Sequence, residues 1–457
     1  MKLRGFALLS LLALPVSAQP YKTTQLGTLG GDYSVAFAVN SQGQVTGESR
    51  TSNGQIHALL WTKSGGMQDL GTLGGDASSG QAINDSGQIA GESHPAGNAA
   101  FHPFRWTASG GMQDLGSVQG GDSYATLING SGQIAGGSCS PDRSVCHAFF
   151  WSTTAGTVDL GTLGGTNSSP SALNDLGQVV GTSDLANGSH HAFLWSNATG
   201  MQDLGTLDTD TDSMAFAINN SGQVTGSSSG STWRAFRWTT AGGMVFLGDL
   251  GGNFGYGFLI DDAGRVAGSS LLPGGGNIVH SFLWTDSGGL HDLGAPGNKP
   301  ASSFPVFMYS SGPIMSNLTI TRLFLWTPPS GRKAISGIEF FGFNQPGQIS
   351  GDKNHLAVLM TPVMQVSLKS SKNPSHAGVA VKLTAKVKGI VGPPPNGEQV
   401  QFKDGSTVLG SGALANGIAT FTTSSFSVGT HAITATYAGN EVYDAQVSKP
   451  VSQVVNP

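Results

Sequence analysis

A motif that returns about every 45 residues is the feature that most constrains the fold of this chain. Residues 191–207 read HAFLWSNATGMQDLGTL, and close copies begin at His57 and His102. The repeated tryptophans are spaced by 45, 45, 44, 43, 46 and 42 residues. They are Trp61, Trp106, Trp151, Trp195, Trp238, Trp284 and Trp326. Such a period indicates a fold built from copies of one structural unit.

A second motif, exemplified by AINDSGQIAG from Ala82, keeps the same period and brings the count to eight units. Each unit holds four short segments with strand character, which in the second unit are MQDLGTL, SGQAIN, QIAGES and HPFRWT. Four strands per unit are typical of propeller blades. We therefore predict an all-β fold with an eight-bladed, four-stranded β-propeller over residues 20–362. A seven-bladed ring remains an alternative because the last two units depart from the repeat.

The repeated aromatic and polar side chains are interpreted first as scaffold. His191, Phe193 and Trp195 share one face of a strand, and we expect the repeated tryptophans to be core. The repeated histidine is replaced by Arg234 and Arg322 in two units, which favours a hydrogen-bond donor over a metal ligand. Its predicted acceptors are the aspartates of the DLG segment: Asp69, Asp114, Asp159, Asp203 and Asp292.

The N-terminus and the cysteines indicate export. Residues 1–18 combine Lys2 and Arg4, an apolar run and a Val-Ser-Ala end, which is the form of a secretory signal peptide. No later stretch is long and apolar enough to predict a membrane span. Cys139 and Cys146 flank a polar loop, and in an exported protein we expect them to form a local disulfide. A metal-binding thiol pair is the alternative.

After Pro362 the repeat stops and the composition shifts toward Lys, Val and Thr. Residues 363–457 read as strands of an antiparallel sandwich of the size of one immunoglobulin-like domain. We therefore predict that the propeller is followed by an immunoglobulin-like β-sandwich.

Both parts resemble known families. The HAFLW…GMQDLGTLGG…AINDSGQIAG pattern resembles the bacterial extracellular HAF repeat, well over residues 25–295 and weakly over 296–360. The tail, with NPSHAGVAVKLTAKV and THAITATYAGN, is similar to bacterial Ig-like domains of the group 3 type. Domains of that type commonly serve as spacers or adhesive modules. The resemblance implies an extracellular repeat protein and supplies no catalytic residues.

The charge and the missing motifs narrow the function classes. A formal net charge of −5 without a basic run argues against nucleic-acid or anionic-membrane binding. The common hydrolase and nucleotide-binding signatures are absent. We expect a secreted or cell-surface, non-catalytic protein that binds glycan or protein partners, and its oligomeric state is left open. The alternatives are a secreted polysaccharide hydrolase or lyase and a structural envelope or matrix protein.

The loops that precede the H-x-F-x-W strands vary most between units, and we expect them to carry the partner contacts. They span residues 51–56, 94–100, 138–145, 183–190 and 271–279.

One acidic stretch suggests a cation. In LDTDTDSMAF the usual glycine pair gives way to Asp208, Asp210 and Asp212. Three acids at alternate positions repel one another, so we consider a structural calcium site there. The alternative is a solvated acidic loop. No other cofactor is expected.

Overall fold

The computed structural model describes residues 21–98, 100–274, 276–294, 301–319, 322–327, 331–336 and 338–457. The predicted signal peptide, residues 1–18, lies outside these described residues. The described chain is organised into 41 β-strands. Within it, no helix has the length and hydropathy needed to cross a bilayer.

The first 32 strands form eight four-stranded units, which we call blades 1 to 8 in chain order, and a single bridge between Ile56 and Ala77 joins blades 1 and 2 into one eight-stranded sheet. The N-terminal strand is β1 (Tyr21–Gln25). Blades 1 to 4 are β2 (Gly30–Val39), β3 (Val45–Thr51), β4 (Ile56–Thr62), β5 (Gly66–Asp69); β6 (Gly74–Ile83), β7 (Ile89–Pro95), β8 (His102–Thr107), β9 (Gly111–Asp114); β10 (Ser123–Ile128), β11 (Ile134–Cys139), β12 (Cys146–Ser152), β13 (Gly156–Asp159); and β14 (Gly164–Leu173), β15 (Val179–Leu185), β16 (His190–Ser196), β17 (Gly200–Asp203). Blades 5 to 8 continue with β18 (Asp212–Ile218), β19 (Val224–Ser229), β20 (Trp233–Thr239), β21 (Gly243–Phe246); β22 (Gly255–Ile260), β23 (Val266–Leu271), β24 (Val279–Thr285), β25 (Gly289–Gly294); β26 (Phe304–Met308), β27 (Ile314–Thr319), β28 (Arg322–Thr327), β29 (Gly331–Ser336); and β30 (Glu339–Phe343), β31 (Ile349–Lys353), β32 (Leu356–Pro362).

The ring is closed by strands from the two ends of the repeat region. Strand β1 pairs antiparallel with β32, with Tyr21 opposite Pro362, and so supplies the fourth strand of blade 8. The predicted fold class is confirmed, with eight blades rather than seven. The phase of the repeat differs from the prediction, because the Met-Gln-Asp segment at Gly66–Asp69 pairs with β4 and completes blade 1 rather than opening blade 2.

The turn between the first and second strands of a blade follows from the Asn-x-x-Gly-Gln motif. In blade 2, Asn84 Oδ1 accepts hydrogen bonds from the backbone N–H groups of Ser86 and Gln88. Gly87 has φ 71°, a conformation that glycine adopts without strain. We call the side of the propeller that carries these turns the turn face, and the opposite side the loop face.

The same asparagines join neighbouring blades. Each amide Nδ2 donates to a backbone carbonyl of the next turn, with donor–acceptor distances of 2.7–3.0 Å at six junctions. These pairs are Asn40–Asn84, Asn84–Asn129, Asn129–Asn174, Asn174–Asn219, Asn219–Asp261 and Asn344–Asn40. The asparagines are 4–6% exposed, so their hydrogen bonds replace water that the ring excludes.

The packing between blades rests more on phenylalanine than on tryptophan. Phe193 and its repeat equivalents are fully buried, whereas the tryptophans divide into two groups. Trp106, Trp151 and Trp195 are buried, whereas Trp61, Trp238, Trp284 and Trp326 are partly exposed at the edge of the core clusters. The glycine after QIA or QVT is equally constrained, since a Cβ on Gly91 would lie 2.0 Å from the carbonyl oxygen of Ser79.

The predicted histidine–aspartate pairs are present in five blades, with Nδ1 to carboxylate oxygen distances of 2.8–3.0 Å. The same aspartate caps the following turn, as Asp69 does for the N–H of Gly71. The repeat histidine of blade 8, His355, does not form such a pair. It lies in a turn with φ 66° before β32 begins. These side chains therefore belong to the scaffold.

The C-terminal domain is a two-sheet sandwich. One sheet has the order β33–β35–β38, and the other has β34–β41–β39–β36–β37 with β40 paired to β39. These strands are β33 (Gln365–Ser370), β34 (Ser375–His376), β35 (Val381–Lys388), β36 (Gln399–Asp404), β37 (Thr407–Ala413), β38 (Ile418–Thr423), β39 (Gly429–Tyr437), β40 (Gln446–Val447) and β41 (Val451–Asn456). Buried residues from both sheets, including Leu383 and Phe402, form its core.

The sandwich contacts the turn face of the propeller near blades 7, 8 and 1. Val391 packs into an apolar cluster of blades 7 and 8, and Tyr443 Oη donates to the carbonyl of Pro346 at 3.2 Å. Asp444 lies 2.6 Å from Lys22 Nζ and 3.3 Å from Lys63 Nζ. Because these contacts lie on the turn face, the sandwich does not cover the loop face.

We expect Asn129→Ala to lower the free energy of unfolding by about 2–3 kcal/mol, because the buried carbonyl of Asn174 loses its donor. Denaturant unfolding measures the effect. Ser131→Ala in the same turn is the control, since Ser131 is exposed. Equal stability of the two variants would contradict an inter-blade role for the asparagine.

Candidate binding cavity

One cavity lies at the mouth of the central channel on the turn face and measures about 890 Å³. Its polar lining is already used by the scaffold. Asp85, Asp175 and Asp262 each accept a backbone N–H from the preceding blade at 2.9–3.0 Å, and Asn220 Nδ2 also donates to Asp175 and Asp262. The polar groups at this mouth are therefore explained by the inter-blade hydrogen bonds that they form.

A second cavity, of about 430 Å³, opens between blades 2 and 3 toward the loop face. Its lining comes from two inner strands, from the two strands that follow them, from the loop at 138–145, and from the residues just before β8 and β10. The lining residues are Gln81, Glu92, Phe101, Asp122, Tyr124, Thr126, Cys139 and Arg143. One loop predicted to carry partner contacts, residues 138–145, thus borders the cavity, and Phe101 directly follows a second one, residues 94–100.

The disulfide loop forms one rim of this cavity. Cys139 and Cys146 are joined by a disulfide between the paired ends of β11 and β12. Within the loop, Arg143 Nη2 donates to Asp122 Oδ2 at 2.6 Å, and the N–H of Phe101 donates to Asp122 Oδ1 at 3.1 Å. Together they lower the pKa of Asp122. This carboxylate is thus ionised and both of its oxygens are occupied.

Aromatic rings form the apolar walls. Tyr124 is 41% exposed, and its ring lies against Gly137, where an added Cβ would approach ring atoms within 2.8 Å. Phe101 stacks on His94 with ring centroids 3.8 Å apart, and His94 Nδ1 is held by Asp76 at 2.7 Å. The cavity therefore combines rigid apolar surfaces with hydrogen-bonding groups, as ligand sites do.

Glu92 is the unusual group in the cavity. Burial raises its pKa from 4.5 to about 7, and the negative charge of Glu48 adds to the shift. Its hydrogen-bond partner is the neutral amide of Gln81, whose Nε2 donates at 3.1 Å. Unlike Asp122, Glu92 has no cationic side chain paired with it among the residues that the structure describes. A carboxyl whose pKa is displaced in this way marks a candidate functional group.

The repeat shows that the fold does not require an acid at this position. Equivalent residues in the other blades, aligned by strand register, range from glycine and serine to acids. They are Glu48, Gly137, Thr182, Ser227, Ser269, Asn317 and Asp352. An acid stands at this position in blades 1, 2 and 8 alone, so the scaffold does not require Glu92.

The predicted calcium site is replaced by an arginine clamp. Arg234 Nη1 donates to Asp208 at 3.0 Å, and its Nη2 lies 2.9 Å from Asp210. Asp212 instead accepts the backbone N–H of His190 at 2.9 Å. No cluster of three metal-ligating side chains occurs among the described residues. The calcium interpretation overlooked that the arginine replacing the repeat histidine in this blade neutralises the acids beside it.

Sequence reasoning singled out the disulfide loop but missed Glu92, Gln81 and Tyr124. Their segments were treated as ordinary strands, because each fits the strand pattern. Glu92 can be identified by comparing the same position across the eight blades, because the fold does not require an acid at that position. That comparison needs the strand register, which the structure supplies.

Comparison with known proteins identifies the C-terminal domain. Residues 368–456 match the family model of the bacterial Ig-like domain (group 3), which confirms the predicted second domain. No curated protein sequence matches the chain. The HAF-repeat resemblance of the propeller stays a prediction.

Solved structures with similar folds are distant in sequence. A prolyl endopeptidase is 9% identical with a TM-score of 0.47, covering 79% of this chain and 55% of that chain, so this chain spans about half of its length. The β-propeller domain of the Trilobed protease from Pyrococcus furiosus is 8% identical with a TM-score of 0.39, covering 66% of this chain and 98% of that chain. XC5397 from Xanthomonas campestris, a gluconolactonase, is 12% identical with a TM-score of 0.29, covering 75% and 89%. None of these likenesses bears on activity.

We expect Glu92→Gln to stabilise the protein at alkaline pH. An acid with a raised folded-state pKa favours folding below its unfolded value, and that advantage is lost as pH rises from 4.5 through about 7. A neutral amide avoids the loss, so the variant should gain up to about 3 kcal/mol near pH 8 and almost nothing near pH 4. Denaturant unfolding at the two pH values measures this, and a gain independent of pH would exclude a buried, unpaired carboxylate.

Proposed function

We propose that this protein is an exported, non-catalytic binding protein that takes a glycan into the cavity between blades 2 and 3. The observation that carries the proposal is the contrast between repeated and unrepeated polar groups. The recurrent histidine–aspartate pairs and turn asparagines hold the scaffold, whereas Glu92 and Tyr124, whose positions carry other residue types in most blades, meet at one cavity. Export is supported by the N-terminal sequence and the disulfide.

The composition of the cavity favours a sugar. A sugar ring has an apolar face and a rim of hydroxyl groups, so it needs flat apolar walls and several acceptors and donors close together. Tyr124 and Phe101 offer such walls, and Gln81, Thr126 and Glu92 offer the polar contacts. The second domain, seated on the turn face, leaves this side free for a large polymer.

A polysaccharide hydrolase is the second candidate, and one observation favours it. Glu92 and Asp122 line the same cavity with pKa values displaced in opposite directions, as an acid and a base of a glycosidase are. Against it, both oxygens of Asp122 are engaged by Arg143 and the Phe101 amide. The binding function therefore has the stronger support.

The test is a glycan and surface-polymer array with the mature full chain, read together with the release of soluble products. We expect retention of a glycan without turnover. Tyr124→Ala should weaken it about tenfold or more, as loss of an aromatic contact does. Leu176→Ser, at a 65% exposed position on the turn face, should leave it unchanged.

Soluble products that disappear in Glu92→Gln would replace this proposal by the hydrolase. Binding to surface proteins alone would assign a protein partner, and no binding at all would favour a structural envelope role.

A further inference from the structure

We infer that the glycan recognised by the cavity between blades 2 and 3 carries a protonated amine, as a de-N-acetylated amino sugar does, and that Glu92 holds this ammonium group beside the ring of Tyr124. The inference rests on the proposed function, because it names the class of ligand for the same cavity.

Glu92 has no cationic side-chain partner among the residues that the structure describes. Arg143 is the one cationic side chain among the described residues that line the cavity, and it is paired with Asp122 at 2.6 Å. His94, behind Phe101, is held by Asp76 at 2.7 Å. The remaining charged neighbour of Glu92 is another acid, Glu48, which hydrogen-bonds the hydroxyl of Tyr33. A cationic ligand group would supply what the protein omits.

The charge of the whole cavity also favours a cationic ligand group. With Glu92 ionised, its lining carries Glu92 and Asp122 against Arg143, a net negative charge. A neutral sugar could satisfy hydrogen bonds there but would leave the buried carboxylate without a counter-charge. An ammonium group gives Glu92 a charge-assisted hydrogen bond, which is about twice as strong as a neutral one.

The aromatic wall of the cavity offers a further contact to a cationic group. The ring of Tyr124 is fixed against Gly137 and is 41% exposed, so a ligand can contact its face. An ammonium group over an aromatic ring gains a further cation–π attraction. Serine or threonine at the Glu92 position in blades 4 to 6 would serve a neutral ligand equally well, whereas the acid costs folded-state stability. Such a cost is expected where a group serves binding.

The test compares two tetrasaccharides with the same sugar backbone, the fully deacetylated glucosamine tetramer, which carries protonated amines, and its fully N-acetylated counterpart, which carries neutral amides. Titration calorimetry with the mature full chain near pH 7 should give about tenfold or higher affinity for the deacetylated tetramer. Glu92→Gln should abolish this preference, so that the two tetramers bind with about equal affinity. Glu48→Gln removes a neighbouring charge outside the cavity lining and should keep the preference.

The pH dependence separates an ion pair from a hydrogen bond. The facing charged groups are Glu48, Asp122, Arg143 and His94. The affinity of the wild-type protein for the deacetylated tetramer should fall between about pH 7 and pH 5, because Glu92 takes up a proton in this range. Glu92→Gln, which the stability measurement checks for folding, should lack this fall.

Each other outcome overturns the inference. If the acetylated tetramer binds equally or more tightly, or if the preference survives in Glu92→Gln, the cavity does not recognise an amine through Glu92. Glycan binding as such would still stand. Binding of a lysine-rich peptide in place of both tetramers assigns the ammonium to a protein partner. Failure to bind any glycan, on the array or in solution, overturns the proposed function as well.

Discussion

The buried asparagine amide that links one turn to the next is the interaction on which the ring depends. One side chain uses both of its Nδ2 donors, one for its own glutamine and one for the neighbouring blade, and its oxygen accepts two backbone N–H groups. Local turn and inter-blade contact are thereby fixed by the same group, so the turn cannot loosen without opening the ring. Where the motif erodes between blades 6 and 8, other long side chains take over, with Arg265 reaching the carbonyl of Tyr309 and Gln345 reaching that of Met308.

The eight blades share one set of structural side chains and differ at other positions. The phenylalanines, the strand glycines and the histidine–aspartate pairs solve the same packing problem in blade after blade, and their recurrence follows from that problem. Departures from the repeat come in compensated groups. In blade 5 the histidine becomes Arg234, its aspartate becomes Phe246, and the glycine pair becomes acidic; the arginine then binds Asp208 and Asp210 and lies over the phenylalanine ring at 5.7 Å. The three changes form one local network, which accounts for them without a ligand.

Glu92 is a departure of another kind, because nothing in its blade compensates for it. Its neighbours are an amide, a second acid and an open cavity, and burial holds its pKa near 7. Five of the eight blades have glycine, asparagine, threonine or serine at this position, so the scaffold does not require an acid there. The disulfide loop on the rim, the tyrosine lying over Gly137 and the uncompensated carboxyl converge on one site between blades 2 and 3.

The sequence by itself determined the all-β class, the period, the four strands per unit, the start of the second domain and the histidine–aspartate pairs, because each is written in spacing and alternation along the chain. Tertiary structure alone decided three things. The pairing of Tyr21–Gln25 with the last blade closes the ring as eight blades, since contacts between the two ends of the propeller region leave no local pattern. The partner of Asp208 and Asp210 is Arg234, 26 and 24 residues away, which converts an expected cation site into an ion pair. The cavity around Glu92 arises because groups from adjacent blades, Tyr124 and Arg143 among them, come together when neighbouring sheets pack, and burial rather than residue type gives that carboxyl its character.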